Sequence, residues 1–339
     1  MPSTYKEYLK DVVRKDNIQD KTRYKHVLSQ NERNFPIEII SSFFDSLTQQ
    51  DITFYPNVEK LKNKIKNYSG AENILLVPGS DIGIKTVFDL FELKNKDILT
   101  TGYYFPMYKV YADLSQANLI PIPYTNFNFN LNSLTESITD NTGLIIFANP
   151  NSPIGDTYSI DNIKKVLDTG ICTVVDEAYI ELSHQPSCIS LLKEYDNLFV
   201  LRTFSKGLGA AGCRVGYICT SKHNLEYLEK LRFMYEVSSI SCKYAEFVLD
   251  NIDYFNSYLK SLLEEKSKFI DYLRKHFNLK IHDTQTSWFF LEKNNITAKM
   301  ILDNNIDIRT IQIDFFENVE WYKFNYDLSL TSDTFIYKK

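Results

Sequence analysis

The sequence lacks several features that mark membrane, secreted and nucleic-acid-binding proteins. It contains no run of about eighteen apolar residues, so no transmembrane helix is expected. The first residues, from Met1 to Tyr8, have no apolar core like that of a signal peptide. A formal net charge of -5 argues against nucleic acid or an anionic membrane as the main partner. We therefore expect a cytoplasmic protein with neither a membrane nor a nucleic-acid partner.

Cysteine is also scarce, and its distribution argues against a fold that is stabilised by disulfides or by zinc. The five cysteines are Cys172, Cys188, Cys213, Cys219 and Cys242. Their number is odd and they form no short paired spacing, which argues against a disulfide framework and against a zinc site. We expect reduced thiols and no metal.

The chain is long enough, and apolar enough, to form a large domain and a smaller one. It has 339 residues, of which 44% are hydrophobic, and it shows no internal repeat or low-complexity linker. Short apolar runs that predict buried strands occur at residues 73–77, 97–101, 144–148, 171–175 and 197–201. Helical patterns separate several of these runs, so residues from about 70 to 220 predict a mostly parallel sheet with helices on both faces.

The C-terminal part has a different pattern. Residues 222–275 are predominantly helical in pattern, and short strand-like pieces follow at 277–281, 287–291 and 321–327, with a helix predicted at 298–304. This content is typical of a small α+β domain. We therefore predict an N-terminal arm at residues 1–35, a large domain at 36–235 and a small C-terminal domain at 236–339.

Polar turns follow the predicted strands, and in a parallel sheet such turns meet at one edge. The turn Gly79-Ser80-Asp81 lies between a strand and a helix, where free backbone N–H groups and the helix dipole attract an anion. Ser80 and Asp81 would equally serve as caps of that helix, since caps and anions use the same donors.

A glycine-rich segment, residues 202–217, carries the most informative group of side chains. Lys206 follows the hydroxyls of Thr203 and Ser205, and Arg214 lies eight residues further on. A lysine among small residues can form an imine with a carbonyl, while hydroxyls and an arginine hold a phosphate. Pyridoxal phosphate requires this combination. Taken alone, Lys206 is one of 38 basic residues in what is equally an ordinary loop.

The segments that match a known family follow one another in order along the chain. They are Asn31-Glu32, Tyr55-Pro56, Gly79-Ser80-Asp81, residues 149–155 (Asn-Pro-Asn-Ser-Pro-Ile-Gly), residues 176–179 (Asp-Glu-Ala-Tyr), Ser205-Lys206 and Arg214. Together they resemble the class I/II aminotransferases, in particular the histidinol-phosphate aminotransferase branch. The resemblance implies the fold type I of pyridoxal-phosphate-dependent transferases and an aminotransferase activity on small amino and keto compounds.

The resemblance implies a role for each matched residue. Lys206 would bind the cofactor as an imine and act as general base and acid. Asp176 would pair with the pyridinium nitrogen, and Tyr179 would donate to the phenolate oxygen. Gly79, Ser80, Asp81, Ser205 and Arg214, with Thr203 as a weaker candidate, would hold the phosphate. Phe105 would stack on the ring, and Tyr55 would reach the phosphate of a neighbouring subunit, which implies a homodimer with shared active sites.

Two departures from the family pattern concern the ring and the substrate. Ser152 stands where the family has an asparagine that contacts the phenolate oxygen, so either Asn151 or Ser152 would fill that role. Near the C-terminus, Lys323 stands where the family has an arginine that holds the substrate carboxylate. Lysine keeps the charge but loses the planar fork. Arg309 resembles the other substrate arginine of the family, and with Lys323 it would bind a second anionic group of the substrate, such as a phosphate.

These residues are compatible with three functions. The first is an aminotransferase for a small, phosphorylated amino or keto compound. The second is a decarboxylase of a phosphorylated amino acid, as in the related threonine-phosphate decarboxylases, which uses the same cofactor residues. The third is a non-enzymatic, ligand-sensing use of the fold, against which Lys206, Asp176 and Arg214 all count.

Overall fold

The protein is described by a computed structural model that covers residues 6–14, 20–313 and 319–330. Its strands in chain order are β1 His26–Val27, β2 Ile74–Val77, β3 Asp97–Thr101, β4 Asn118–Ile122, β5 Thr142–Ala148, β6 Thr173–Asp176, β7 Leu198–Thr203, β8 Gly216–Cys219, β9 Ile281–Asp283, β10 Trp288–Glu292, β11 Ile306–Asp307, β12 Arg309–Gln312 and β13 Glu320–Asn325. Its α-helices are α1 Ile37–Asp45, α2 Gln49–Thr53, α3 Val58–Ser69, α4 Ser80–Leu90, α5 Met107–Leu114, α6 Asn132–Glu136, α7 Ile160–Leu167, α8 Lys222–Leu231, α9 Ser239–Asp250, α10 Ile252–His276 and α11 Asn295–Asp303.

A seven-stranded sheet in the order β2-β8-β7-β6-β5-β3-β4 forms the centre of the protein. Only β8 runs antiparallel to its neighbours, β2 and β7, and the other pairs are parallel. The strands are mostly buried because they are short apolar runs covered on both sides. The predicted α/β fold with a mostly parallel sheet is therefore confirmed.

Helices cover both faces of this sheet. Side chains alternate along a strand, so Ile145 and Phe147 of β5 point into one apolar core, and Leu144 and Ile146 into another. The first core receives the buried faces of α3 and α7, and the second receives those of α4 and α5. This sandwich leaves the ends of the strands as the places where polar side chains gather.

A second, antiparallel sheet in the order β12-β13-β10-β9 follows in the C-terminal part. The long helix α10 packs on it, with the ring of Phe269 lying 5.8 Å from that of Phe324 and 6.4 Å from that of Phe289. The short strand β1 pairs with β11. This pairing ties the N-terminal segment to the C-terminal part, and the chain then returns towards the central sheet. The domain boundaries at residues 35 and 235 stay predictions.

The structure also contains elements that the sequence pattern did not predict. Helices α2, α5 and α6 and strands β1, β4 and β8 are new, and the strand predicted at residues 277–281 begins only at Ile281. Strand β4 is an edge strand with a largely exposed, proline-containing sequence, which has no apolar signature. The Phe277 N–H bonds to the Leu273 carbonyl, so the residues after α10 complete the end of that helix instead of forming a strand. Within the described ranges, no helix combines the length and apolarity needed to cross a membrane.

The antiparallel strand β8 fixes the turn that precedes α4. Gly79 in this turn has a φ of 85°, which favours glycine. A Cβ atom at Gly216 would lie 2.6 Å from the backbone N of Ser80 and 2.7 Å from the carbonyl carbon of Gly79. The first residue of β8 must therefore be glycine for the strand to pack against this turn.

We predict that Gly216→Ala destabilises the protein by about 1–3 kcal/mol, because backbone atoms cannot yield to an added methyl group as side chains can. Urea unfolding of both proteins measures the effect. The matched control is Gly212→Ala, since a Cβ at Gly212 has no neighbour within 4 Å. An equal stability of the two variants would contradict the close contact.

Candidate active site

A cavity of about 350 Å³ lies at the carboxyl ends of β5, β6 and β7. Ten residues predicted from the sequence line it: Ser80, Asp81, Phe105, Ser152, Asp176, Tyr179, Thr203, Ser205, Lys206 and Arg214. Six further residues complete the lining: Gln30, Glu32, Ala148, Ala178, Ala211 and Gly212. The expectation that the polar strand ends converge is therefore fulfilled by residues far apart in the sequence.

One end of the cavity is rich in donors for an anion. Helix α4 begins at Ser80, so its first backbone N–H groups are free of intrahelical partners. Nη1 of Arg214 lies 3.4 Å from Oγ of Ser205. The hydroxyl oxygen of Thr203 accepts a hydrogen bond of 3.1 Å from the backbone N–H of Ser205, which fixes the loop that carries both groups. Gly79 stands behind this end, where a Cβ would lie only 2.6 Å from Nη2 of Arg214.

The buried carboxylate of Asp176 also lines the cavity. Its Oδ2 accepts a hydrogen bond of 2.9 Å from the hydroxyl of Tyr108, and its Oδ1 accepts one of 3.1 Å from the backbone N–H of Ala178. Burial raises the pKa of Asp176 from 3.8 to about 6. The two donors orient the carboxylate, and a cationic partner in the cavity would restore its ionised form.

Lys206 also lines the cavity and is half-buried. Its Nζ donates a hydrogen bond of 2.9 Å to the backbone carbonyl of Gln30 and lies 5.8 Å from the centre of the Tyr179 ring. Residues 30–33, which we call the N-terminal strap, therefore cover the lysine. Oε2 of Glu32 in the strap pairs with Lys21, which ties the strap to the segment that precedes β1.

A hydrogen-bonded chain runs from Tyr179 to the C-terminal sheet. Nδ2 of Asn31 donates to the Tyr179 hydroxyl at 2.9 Å, and Oδ1 of Asn31 accepts from Nζ of Lys323 at 3.1 Å. The ammonium of Lys323 also lies 3.9 Å from the centre of the Trp288 ring, a distance typical of a cation–π contact. Lys323 thus lies behind the cavity and close to it, although it does not line it.

The structure distinguishes the environments of Asn151 and Ser152. Asn151 is buried, and its amide donates to the Thr101 hydroxyl at 3.1 Å and to the Tyr103 carbonyl at 2.9 Å. Its Oδ1 accepts from the backbone N–H of Ile154. Asn151 therefore holds its own loop, whereas Ser152 lines the cavity.

Two other predicted residues lie away from this cavity. Arg309 is exposed on β12, opposite Lys323 in the strand pairing. Tyr55 is 78% exposed and stacks on Tyr235 with the ring centres 4.3 Å apart. Beside it lies a second, largely apolar cavity of about 330 Å³, which Pro56, Val58 and Tyr235 help to line. The nucleophile and the buried carboxylate lie in the first cavity, so we assign the chemistry to that one.

Sequence reasoning missed three residues of this region. Tyr108 could not be assigned because its helix, α5, was not predicted. Asn31 was noted only as part of a motif, and Arg33 carried no signal as one of 38 basic residues. Among the described residues, no group of three His, Cys, Asp or Glu side chains could hold a metal ion.

The side chains of the first cavity fit a flat, phosphorylated aldehyde cofactor. Hydroxyls, a helix N-terminus and Arg214 supply donors for an anion, and the Asp176 carboxylate and the Lys206 amine line the same cavity. Phe105 lies on the cavity wall with an edge-on contact to Tyr108. Each group of such a cofactor would therefore meet a residue of opposite or complementary chemistry.

Comparison with known proteins gives a consistent family. The model of the family "Aminotransferase class I and II" matches residues 25–329. A histidinol-phosphate aminotransferase of Clostridium novyi is 31% identical over 282 residues, which are 80% of this chain and 79% of that protein. A histidinol-phosphate aminotransferase of Legionella pneumophila is 32% identical over 263 residues, covering 73% of this chain and 71% of that protein.

Solved structures agree on the fold. The histidinol-phosphate aminotransferase of Sinorhizobium meliloti in complex with pyridoxal-5'-phosphate superposes with a TM-score of 0.78 at 19% identity, covering 89% of this chain and 87% of that one. The L-threonine-O-3-phosphate decarboxylase of Porphyromonas gingivalis gives 0.75 at 17% identity, covering 90% and 95%. At such identities the likeness shows the fold alone, but the family match spans most of the chain. The chain therefore belongs to the class I and II aminotransferases.

Proposed function

We propose that this aminotransferase uses pyridoxal 5'-phosphate to move an amino group between an amino acid and a small phosphorylated amino or keto compound. The gathering of Lys206, Asp176 and the anion donors in one cavity carries this proposal. Pyridoxal phosphate, when bound, supplies an electron-withdrawing ring that stabilises negative charge on the substrate carbon. The following roles are those of the protein's own residues.

Lys206 would attach the cofactor and move the proton at the reacting carbon, because its amine lines the same cavity as the anion donors and Asp176. Asp176 would hold the proton of the ring nitrogen. Burial without a cationic partner raises the pKa of its carboxyl group, and a protonated ring nitrogen would supply the missing cation. Tyr179 and Ser152 would donate to the ring oxygen, and Phe105 would stack on the ring. Ser80, Asp81, Thr203, Ser205 and Arg214 would hold the phosphate, with Gly79 allowing the close approach of Arg214.

We assign the substrate class from cations beyond the cavity. Arg309 and Lys323 face each other on β12 and β13, and two of the relatives are named for histidinol phosphate. A guanidinium binds phosphate through two parallel hydrogen bonds, so the exposed Arg309 suits a phosphate at the far end of the substrate. The decarboxylase alternative rests on the neighbouring P. gingivalis structure and is distinguished by release of carbon dioxide.

We further propose a homodimer whose active sites are shared. Large apolar side chains are exposed around Tyr55: Ile52 at 66%, Phe54 at 65%, Phe233 at 75% and Met234 at 80%. The Ser239 hydroxyl bonds to the Phe54 carbonyl, which joins the two loops that carry them into one surface. An apolar patch of this kind is typical of a subunit interface. We propose that a second copy of the chain covers it, because Tyr55 can reach the phosphate of a neighbouring subunit only if that subunit packs against this surface. We also propose a cytoplasmic location and the three-part division at residues 35 and 235.

Lys206→Ala should abolish turnover and covalent attachment of the cofactor while leaving the fold intact, because Lys206 is the amine that lies in the cavity lining. Borohydride reduction followed by peptide mass spectrometry maps the attached lysine, and circular dichroism checks the fold. Lys222→Ala, at an exposed position in α8, is the control and should behave like the wild type. Attachment at another lysine would disprove the assignment.

Asp176→Asn should retain the cofactor but lower the rate by orders of magnitude, because an amide cannot hold the ring proton.

In the cofactor-free protein, the pKa of Asp176 is raised from 3.8 to about 6, so the folded state loses up to about 3 kcal/mol of stability as the pH rises from 4 to 7. Asp176→Asn has no carboxyl group at this position and should not show this loss. The difference between its Tm and that of the wild type should therefore increase from pH 4 to pH 7. The exposed Asp140→Asn serves as control. A near-wild-type rate would refute the role of Asp176.

Mixing two inactive variants tests the shared site. If Tyr55 serves the partner's phosphate site, Tyr55→Ala should be strongly impaired, and Lys206→Ala inactive. Mixed dimers would then contain one intact site, so refolding the two together should restore about a quarter of the wild-type activity. No recovery, full activity of Tyr55→Ala alone, or a monomer in solution would overturn the proposal.

A further inference from the structure

A group of buried hydrogen-bond donors lies where the N-terminal strap meets the C-terminal sheet. It consists of Arg33, Lys323 and Asn325, which are 7%, 5% and 0% exposed, and we call it the donor cluster. Lys323 and Asn325 are two residues apart on β13, so they lie on the same face of the sheet. Arg33 is brought to them by the strap. None of these residues belongs to the cofactor site described above.

Arg33 is fixed by neutral acceptors. Its Nη1 donates to Oδ1 of Asn325 at 3.2 Å and to the carbonyl of Glu32 at 3.2 Å, and its Nη2 donates to Oγ of Ser287. The Ser287 hydroxyl also donates to Oδ1 of Asn325, at 2.9 Å. Within the described part of the chain, Nε of Arg33 and Nδ2 of Asn325 are both buried without an acceptor. The cluster therefore has donors in excess of acceptors.

The charges around the cluster are also unbalanced. Burial, with the positive charges of Arg309, Lys206 and Arg33, holds the pKa of Lys323 well below its ordinary value. The charge of Asp327 acts on Arg33, but among the described residues no carboxylate forms a salt bridge with Arg33 or Lys323. A buried, unpaired guanidinium is costly, and a negatively charged ligand would compensate it.

We infer that Arg33, together with Lys323 and Asn325, binds the carboxylate of the amino substrate and supplies the guanidinium that the family places at position 323. This inference rests on the proposed aminotransferase function and names the residues that hold one of its substrates. The strap brings Arg33 into place beside β13. The planar fork of Arg33 offers the two-point contact that Lys323 lacks.

The position of the cluster favours a carboxylate over a phosphate. An amino acid carries its carboxylate directly on the reacting carbon, so the carboxylate must lie near Lys206. Lys323 is joined through Asn31 to Tyr179, and Lys206 lies 5.8 Å from the Tyr179 ring. A phosphate at the far end of a substrate lies further from the reacting carbon, which suits the exposed Arg309.

The test compares two substrates in single-turnover half-reactions of the holoenzyme. One is the L-amino acid that the wild type converts fastest from a panel of the proteinogenic amino acids, and the other is L-histidinol phosphate, which has no carboxylate. Arg33→Gln should raise the apparent Kd for the amino acid more than tenfold and that for histidinol phosphate less than about threefold. Arg309→Gln should show the reverse preference. Arg33→Lys should recover part of the amino acid binding.

A second variant separates binding from folding. Asn325→Asp places a carboxylate beside Nη1 of Arg33, where the two should form an ion pair. We expect this variant to keep or raise the Tm of the protein and yet to lose amino acid binding, because the new carboxylate occupies the guanidinium. An unchanged Kd for the amino acid in the stable Asn325→Asp variant would contradict a carboxylate site at Arg33, Lys323 and Asn325.

Calorimetric binding of succinate, a carboxylate that carries no amino group, gives a readout independent of turnover. Wild-type holoenzyme should bind succinate, Arg33→Gln should bind it more than tenfold less tightly, and Arg274→Gln, on the exposed face of α10, should match the wild type. Equal losses on both amino substrates, or unchanged succinate binding in Arg33→Gln, would overturn the inference. A wild type that converts no amine but binds succinate through Arg33 would refute the proposed function and leave the carboxylate site standing.

Discussion

The parallel pairing of β5, β6 and β7 is the constraint on which the active site depends. In this pairing Ala148 lies beside Asp176, and Asp176 lies beside Leu201, so three strands end at one edge. Each strand leads into a polar loop, and the loops supply Ser152, Tyr179 and Lys206 to the same cavity. The antiparallel strand β8 adds the fourth side, because its glycine allows the turn before α4 to approach the edge closely.

Charges buried near this edge fall into two classes. Behind the cavity, Arg202 contacts Glu181 at 2.7 Å and Glu177 at 3.5 Å, and all three side chains are buried. These pairs stiffen the segments that carry Asp176 and Lys206, since Glu177 follows Asp176 in the chain and Glu181 packs against Gly207. Asp176 and Lys206, which line the cavity, and Lys323 and Arg33, which lie next to it, have no such partners among the described residues. Charge is therefore paired around Arg202 and left without an ion pair at Asp176, Lys206, Lys323 and Arg33 in the part of the chain that the structure describes.

The sequence predicted the strand ends and their functional residues well, for physical reasons. Buried strands are continuous apolar runs, and the polar segment that follows such a run must lie at the sheet edge, which singled out Asp176 directly after one run and Ser80 and Ser205 in the loops after two others. Tyr108 could not be found in this way, since its contact with Asp176 depends on how α5 packs. Arg33 was equally hidden, because the strap has no regular structure and its position is set by the pairing of β1 with β11. Contacts between segments that are distant in sequence are not encoded in any local pattern.

Lys323, where the family pattern has an arginine, is a second case in which a local sequence pattern does not show the contacts made by distant segments. Considered alone, a lysine in place of an arginine weakens the binding of a carboxylate, because an ammonium offers a point charge and a guanidinium offers a planar fork. The structure places Arg33 near Lys323, and Arg33 donates to Asn325, which lies two residues after Lys323 on β13. A binding site is defined by where donors lie in space, and a guanidinium carried by a strap serves that site as well as one carried by a strand. A substitution in a family motif therefore has to be judged together with every side chain that packs against it. Here the guanidinium that position 323 lacks is supplied by Arg33, which lies in a distant segment of the chain.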